Sequence, residues 1–177
     1  DEIKFKLDEN GKPIGVYKKE RLDTHKLVEE YMLLANREVA KFIYDSIQKK
    51  GKKDTGSIYR IHDLPDKERM SDLSTFVKAL GYSLKTKEGT VTAHEIKSLL
   101  RQIEGTPHET LISTAVIRSM QKAVYSTKNV GHFGLAFDYY THFTSPIRRY
   151  PDLLVQRILQ RHLHHEPFRD TEINQFQ

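Results

Sequence analysis

The stretch Tyr139-Tyr140-Thr141-His142-Phe143-Thr144-Ser145-Pro146-Ile147-Arg148-Arg149-Tyr150 decides how the rest of this 177-residue sequence is read. Ser145 followed by Pro146 predicts a helix start, with the serine as N-cap and the proline at the first helical position. Leu153, Leu154, Ile158, Leu159 and Leu163 continue it at helical spacing. The first amide groups of such a helix lack intrahelical partners and the dipole is positive there. Arg148 and Arg149 fall in the first turn, with the hydroxyls of Thr144 and Ser145 beside them, a combination that binds phosphate. Each exposed cation in a first turn opposes the dipole by about 0.3–1 kcal/mol, so helix stability alone does not account for the pair. The competing reading pairs Arg148 with Asp152 at i,i+4 and leaves Arg149 solvated. From Arg148 to Arg161, four arginines face one aspartate, which extends the basic face.

Upstream, the elements are well punctuated. Ile3, Phe5 and Leu7 alternate with polar residues, Glu9-Asn10-Gly11-Lys12 supplies a turn, and Ile14 and Val16 resume the alternation. Asn-Gly in that setting predicts a hairpin whose two central residues both take positive φ. A helix is predicted from Asp23 or Thr24 to Gln48, and a polar loop from Lys49 to Gly56. Ile58–His62 reads as a short strand ended by Asp63-Leu64-Pro65. Met70, Leu73, Val77 and Leu80 mark one helix before Gly81. Thr92-x-x-Glu95 is a capping box opening another that closes at Gly105. Thr106-Pro107-His108-Glu109 reads as the same device, leading a helix through Leu111, Ala115, Met120 and Val124. Gly131–Phe137 reads as extended or looped, and 167–177 as a polar tail that frays. The fold class is α+β, helix-rich, with an N-terminal β-hairpin and about five helices, in one domain over residues 1–166.

Composition sets the outer limits. The net charge is +5, with 29 Lys+Arg against 24 Asp+Glu, a weak tilt toward polyanionic partners. No Cys is present, which excludes disulfide frameworks, thiolate metal sites and Cys nucleophiles. No apolar run of about 18 residues exists to span a bilayer, and Asp1-Glu2-Ile3-Lys4 does not open a signal peptide. A soluble, cytoplasmic domain is expected.

Other candidate residues have weaker claims. Glu29 and Glu30 point about 100° apart on their helix and cannot share one metal as a simple pair; a solvated face is the competing reading, with Asn36 seven residues on as a polar spot. His142, His162, His164 and His165 lack zinc spacings and read as surface histidines. Tyr59, Tyr125, Phe133, Phe137 and Phe143 read as core; Tyr139 and Tyr140, beside the arginine pair, are the exception, placed to stack on bases.

Four ordered blocks carry a resemblance. His142-Phe143-Thr144-Ser145-Pro146-Ile147-Arg148-Arg149-Tyr150-Pro151-Asp152-Leu153 resembles the signature near the end of the RNB catalytic domain of ribonuclease II and ribonuclease R type exoribonucleases. Leu27-Val28-Glu29-Glu30-Tyr31-Met32-Leu33-Leu34-Ala35-Asn36 resembles the family's VEEFM-x-x-AN helix, with Tyr31 where Phe is common. Tyr59-Arg60-Ile61-His62-Asp63 resembles its RxHD segment. Arg118–Ser126 and Gly131–Leu135 resemble its RSM-x-x-A-x-Y and GHFGLA blocks. The bacterial ribonuclease R branch is the closer fit.

The resemblance implies a processive, hydrolytic 3′→5′ exoribonuclease that takes single-stranded RNA to nucleoside monophosphates, using two Mg²⁺ ions held by aspartates. It implies that Arg148 stabilises charge at the scissile phosphate, that Glu29 or Glu30 reads the ribose 2′-hydroxyl, and that Arg149, Thr144, Ser145 and Tyr140 support the substrate. The family's D-x-x-x-x-x-D-x-D-D metal block has no counterpart here, so no metal ligand is expected in this chain. The chain is expected to be the C-terminal half of the catalytic domain, inactive alone, with the N-terminal half as partner and exposed apolar surface open to self-association. The alternatives are a non-catalytic RNA-binding or scaffold module of the same fold, or a helical interaction domain without a nucleic-acid partner.

Overall fold

The computed structural model describes residues 3–20, 22–49, 56–86, 90–166 and 168–173. Most of the predicted loop from Lys49 to Gly56, and the end of the tail, lie outside them. The chain divides into two compact units, Asp1–Leu34 and Ala35–Gln177.

The first unit holds the predicted hairpin, β1 (Ile3–Leu7) and β2 (Pro13–Lys18), paired antiparallel with Phe5 opposite Val16 and a register shift between Lys6 and Leu7. Its turn differs from the expected one. Gly11 has φ +78°, but Asn10 does not adopt positive φ. Asp8 organises the turn instead: its Oδ1 accepts from the Asn10 and Lys12 amides at 2.9 and 2.8 Å, an Asx arrangement that fixes a longer loop. Ile3, Phe5, Leu7, Ile14 and Val16 are all more than half exposed, so apolar surface is indeed open to solvent here. The unit ends within α1 (Asp23–Lys49).

The second unit begins inside α1. It continues through β3 (Tyr59–Ile61), α2 (Lys67–Ala79), α3 (Ala93–Ile103), α4 (Glu109–Ser119), β4 (Val124–Ser126), a 3-10 turn at Phe133–Leu135, α5 (Tyr150–Leu163) and the short α6 (Asp170–Ile173). β3 and β4 form an antiparallel ribbon, Arg60 opposite Tyr125.

Two cores form. Met70, Leu73 and Val77 of α2 pack with Leu99 and Ile103 of α3 and with Ile112 and Val116 of α4. Ile43 of α1 packs with Ile58 and with Leu154, Val155 and Ile158 of α5. The Thr92 capping box is complete, with the Glu95 amide on Thr92 Oγ1 and the Thr92 amide on Glu95 Oε2.

Two predicted helix starts move. α4 opens at Glu109 with no side-chain cap. Thr106 Oγ1 donates to the Ile103 carbonyl at 2.7 Å, closing α3 rather than capping α4, and Glu109 accepts from the Gly105 amide. The buried stripe of α4 is Ile112 and Val116; Leu111 is half exposed, the helix ends at Ser119, and Val124 belongs to β4. α5 opens at Tyr150, not at Ser145. In a helix running through from Ser145, Pro151 would be interior, with no N–H to bond the Ile147 carbonyl and a ring against it. Within the first turn of a helix that starts at Tyr150, Pro151 is tolerated.

Candidate functional site

The segment that leads into α5 is pinned from three sides. Asn36, buried on α1, uses both ends of its amide: Nδ2 donates to the Tyr140 hydroxyl at 3.2 Å, and Oδ1 accepts from the Phe143 amide at 3.0 Å. Thr141 Oγ1 donates to the Ile58 carbonyl at 2.6 Å, and the Arg60 amide donates to the Tyr140 carbonyl. From α5, Gln156 Nε2 donates to the Phe143 carbonyl at 3.0 Å. Together the anchors satisfy the Tyr140 carbonyl and both backbone groups of Phe143, which the loop would otherwise leave without partners.

Ser145–Arg149 then turns tightly, the Arg148 and Arg149 amides both donating to the Ser145 carbonyl. Asp152, fully buried in the first turn of α5, holds this turn from below. Its Oδ1 accepts from the Ser145 amide at 2.8 Å and from Arg149 Nη2 at 2.8 Å. The competing ion-pair reading is therefore corrected: Asp152 pairs with Arg149 at i,i+3, and Arg148 is the arginine left to solvent. Among the described residues the Arg148 guanidinium has no hydrogen-bond or ion-pair partner. A buried carboxylate accepting two charge-assisted bonds is a strong anchor, and it neutralises one cation while leaving the other uncompensated. Thr144 Oγ1, Arg149 Nε and Asp152 Oδ2 are buried beside it without protein partners.

The two arginines precede α5 rather than lying in its first turn, so the dipole argument shifts to the turn and to Asp152, an acid near the positive end of α5. The basic face is also shorter than expected. Arg161 is engaged at the far end of α5, its Nε on the Glu166 carbonyl at 2.7 Å and its guanidinium 4.1 Å over the Phe168 ring.

Tyr140 is not available for base stacking as expected: it is 6% exposed, its hydroxyl is taken by Asn36, and its ring packs edge-on against His132 and His142. Tyr139 lies half-buried against Tyr44, ring centroids 4.7 Å apart. Glu29 and Glu30 are exposed on the part of α1 that belongs to the first unit.

Two of the motif blocks meet physically. The Gly134 amide donates to His62 Nδ1 at 3.1 Å, and a Cβ on Gly134 would stand 2.8 Å from that nitrogen, so the close approach requires glycine. The His62 amide and carbonyl bond the Gly131 carbonyl and the Phe133 amide, so 131–137 runs beside the end of β3. Next to this contact is a cleft of about 490 Å³ lined by His62, His132, Phe133, Phe137 and Asp138 among others.

The histidines here are kept uncharged. Burial lowers His62. His132 is lowered to about 4, by burial first and then by His62. His142 is likewise lowered to about 4, by burial and then by Arg149, with Arg60 and Arg148 adding to the effect and Asp152 opposing it. His162, read as a surface histidine, is buried on α5. Among the described residues no three His, Asp or Glu side chains group to hold a metal ion. The described residues thus offer no such cluster to the divalent ions that the resemblance implies.

Sequence reasoning missed the Tyr125–His142 contact and the part played by Gln156. Neither has a local signal; both are set by tertiary pairing. Pro151 was the available signal for the true start of α5.

The RNB domain family profile matches residues 1–165. Ribonuclease R of Aquifex aeolicus is 38% identical over 160 residues, covering 90% of this chain and 22% of that protein. Ribonuclease R of Buchnera aphidicola subsp. Schizaphis graminum is 42% identical over 159 residues, 90% of this chain and 21% of that protein. The chain thus spans about a fifth of the length of these curated relatives. Among solved structures, Mycoplasma genitalium RNase R in complex with ribose methylated single-stranded RNA superposes with a TM-score of 0.78 at 31% identity, covering 92% of this chain and 24% of that one. Yeast Ssd1, a pseudonuclease, superposes with a TM-score of 0.70 at 27% identity, over 84% of this chain and 18% of that one.

Proposed function

The chain belongs to the RNB domain family, and from that premise we propose that it is part of a processive, hydrolytic 3′→5′ exoribonuclease that degrades single-stranded RNA to nucleoside monophosphates in the cytoplasm. The observation that carries this reading is the unequal arginine pair. Asp152 locks Arg149 and the Ser145 amide, and the exposed Arg148 guanidinium is presented by a rigid turn. The anchored turn fixes the backbone from which Arg148 projects, so its guanidinium is placed where a phosphoryl oxygen can bring developing negative charge to it. Arg148 is the catalytic residue in this reading. Arg149 positions the turn, while Thr144 and Ser145 line the approach for the substrate. Tyr140 and Asn36 act behind them as positioning residues. Glu29 or Glu30 contacts the ribose 2′-hydroxyl. Mg²⁺ in the intact protein is bound by residues outside this chain, in the N-terminal half of the catalytic domain.

Two expected outcomes follow. The 177-residue chain alone releases no mononucleotide from single-stranded RNA in the presence of Mg²⁺. In enzyme reconstituted with the upstream half, Arg148→Ala lowers kcat by about 10²–10³-fold while RNA affinity changes far less. Equal losses in cleavage and binding reduce Arg148 to a phosphate anchor, and release by the chain alone refutes its dependence on the upstream half.

A specific observation favours one alternative, a non-catalytic RNA-binding module. The fold is shared with Ssd1, a pseudonuclease, which superposes with a TM-score of 0.70. RNA binding without cleavage after the upstream half is added selects the module.

A further inference from the structure

Arg60, Tyr125 and His142 carry no role in the reading above. Arg60 and Tyr125 are directly opposed across the β3–β4 ribbon, which puts both side chains on one face. The Arg60 guanidinium carbon lies 4.7 Å over the Tyr125 ring. Tyr125 is braced in turn, its hydroxyl 2.7 Å from Nδ1 of His142 and the two rings edge-on with centroids 5.6 Å apart. His142 stands two residues before Thr144, at the entrance of the turn that presents Arg148.

A cross-strand cation–π pair that only stabilises the ribbon needs no brace behind its aromatic ring, and contributes about 0.5–1 kcal/mol where exposed. Here the ring is fixed at its far end, and stacking occupies one face of the guanidinium while leaving its N–H edges to point outward. Among the described residues no carboxylate pairs with Arg60. Arg149, Arg60 and Arg148 each favour the neutral form of His142, and the acid that opposes them, Asp152, is already bonded to Arg149. Among the described residues Arg60 and Arg148 are thus both without a carboxylate partner, and Arg148 is the arginine assigned to the scissile phosphate.

We propose that Arg60, held by the Tyr125–His142 brace, is a second phosphate-binding group that takes an internucleotide phosphate of the same single-stranded RNA beside the one at Arg148. This rests on the RNA reading above and extends it from one phosphate contact to two. Tyr125 and His142 act through Arg60 as positioning residues, with the phenol O–H donating a hydrogen bond to Nδ1 of the neutral imidazole.

The test is the salt dependence of RNA binding by the whole chain, measured by fluorescence anisotropy with a labelled oligoadenylate of about ten nucleotides. Removing one phosphate contact on a single strand makes the slope of log K against log salt shallower by about 0.7. Arg60→Ala is expected to show that change together with a loss of affinity of about tenfold at low salt. Arg60→Lys keeps the charge and is expected to keep the slope. Tyr125→Phe retains the ring, loses the brace, and is expected to weaken binding with the slope intact. If circular dichroism shows that Arg60→Ala does not fold, Arg60→Gln, which keeps an aliphatic stem over the ring, takes its place with the same expected slope. An unaltered slope in the neutral variant, with binding by the parent chain intact, overturns the subsite alone. Absence of any salt-dependent binding by the parent chain overturns the RNA reading and the subsite together.

Discussion

The α2–α4 cluster and the region built from α1 after Leu34, residues 57–62 with their partner strand β4, residues 129–149 and α5 are both well packed, yet they bury different chemistry. Every buried residue of the first cluster is apolar, from Met70 through Leu99 to Val116. The buried polar and charged residues, Asn36, Ser57, His62, Thr141, Asp152 and His162, all fall in the second region. Burying a polar group is costly unless it is bonded, and burying a charge far more so. An all-apolar core is the cheaper way to hold helices together. The second region uses its polar groups for something an apolar contact cannot do, which is to fix the direction of a turn and of the arginine that it presents.

Two substitutions of similar cost separate these roles, and they carry the largest expected effects. Leu99→Ala removes a fully buried side chain from the apolar cluster and is expected to destabilise by about 3 kcal/mol in urea unfolding. At temperatures where the variant is folded, its RNA affinity and salt slope are expected to match the parent. Asp152→Ala is also expected to cost about 3 kcal/mol, at the low end for a broken buried pair because Arg149 is 22% exposed. In that variant the Ser145 amide and Arg149 lose their common acceptor, so RNA binding falls even in the folded population. Equal binding losses in the two variants would erase the distinction between the regions.

Gly134→Ala sharpens it from the other side. The added Cβ meets the buried His62 ring at 2.8 Å and 3.1 Å, so either the ring or the 131–137 segment must shift. A cost of about 2 kcal/mol is expected, as for overpacking of a well-filled site. The damage is expected in the NMR shifts of His62, His132 and Tyr140, leaving α2–α4 unmoved.

The smallest expected effect is a pH dependence confined to the second region. His132 and His142 titrate near 4 when folded and near 6.5 when unfolded. Between those values the unfolded chain binds more protons, so stability rises with pH. Their contribution is complete above about 6.5 and is lost as pH falls toward 4. Both rings are only partly buried, so the loss is smaller than the full shift implies. Amide exchange at pH 7 and pH 5 is expected to show faster opening around residues 132–142 with protection in α2–α4 little changed. Uniform loosening of both regions would contradict the placement of these histidines.

The difference between the regions also explains what the sequence disclosed. The apolar cluster was legible because its signals are local: the helical spacing of Met70, Leu73 and Val77, and the Thr92–Glu95 box. The motif residues around Arg148 were legible as chemistry but misplaced as structure. Ser145-Pro146 looks like a helix start from the N-terminal side, and only Pro151, six residues on, forbids it. The phase of α4 was misread because Leu111 and Ile112 both fit a helical stripe, and contact with α2 and α3 decides between them. That Asp152 would take Arg149 rather than Arg148 follows from the turn geometry, which spacing does not encode.

The anchors of the turn that presents Arg148 bear on how the chain acquires its shape. The bonds that define it close loops of 72 residues (His62 to Gly134), 83 (Ile58 to Thr141), 104 (Asn36 to Tyr140) and 107 (Asn36 to Phe143). Closing such loops costs chain entropy before any contact offsets it, and topology of this kind slows folding. The α2–α4 helices, neighbours in sequence, meet no such delay. The turn that presents Arg148 is thus expected to assemble after the α2–α4 cluster, and its bonds to Asn36 cannot close during synthesis until the chain has been made past Phe143.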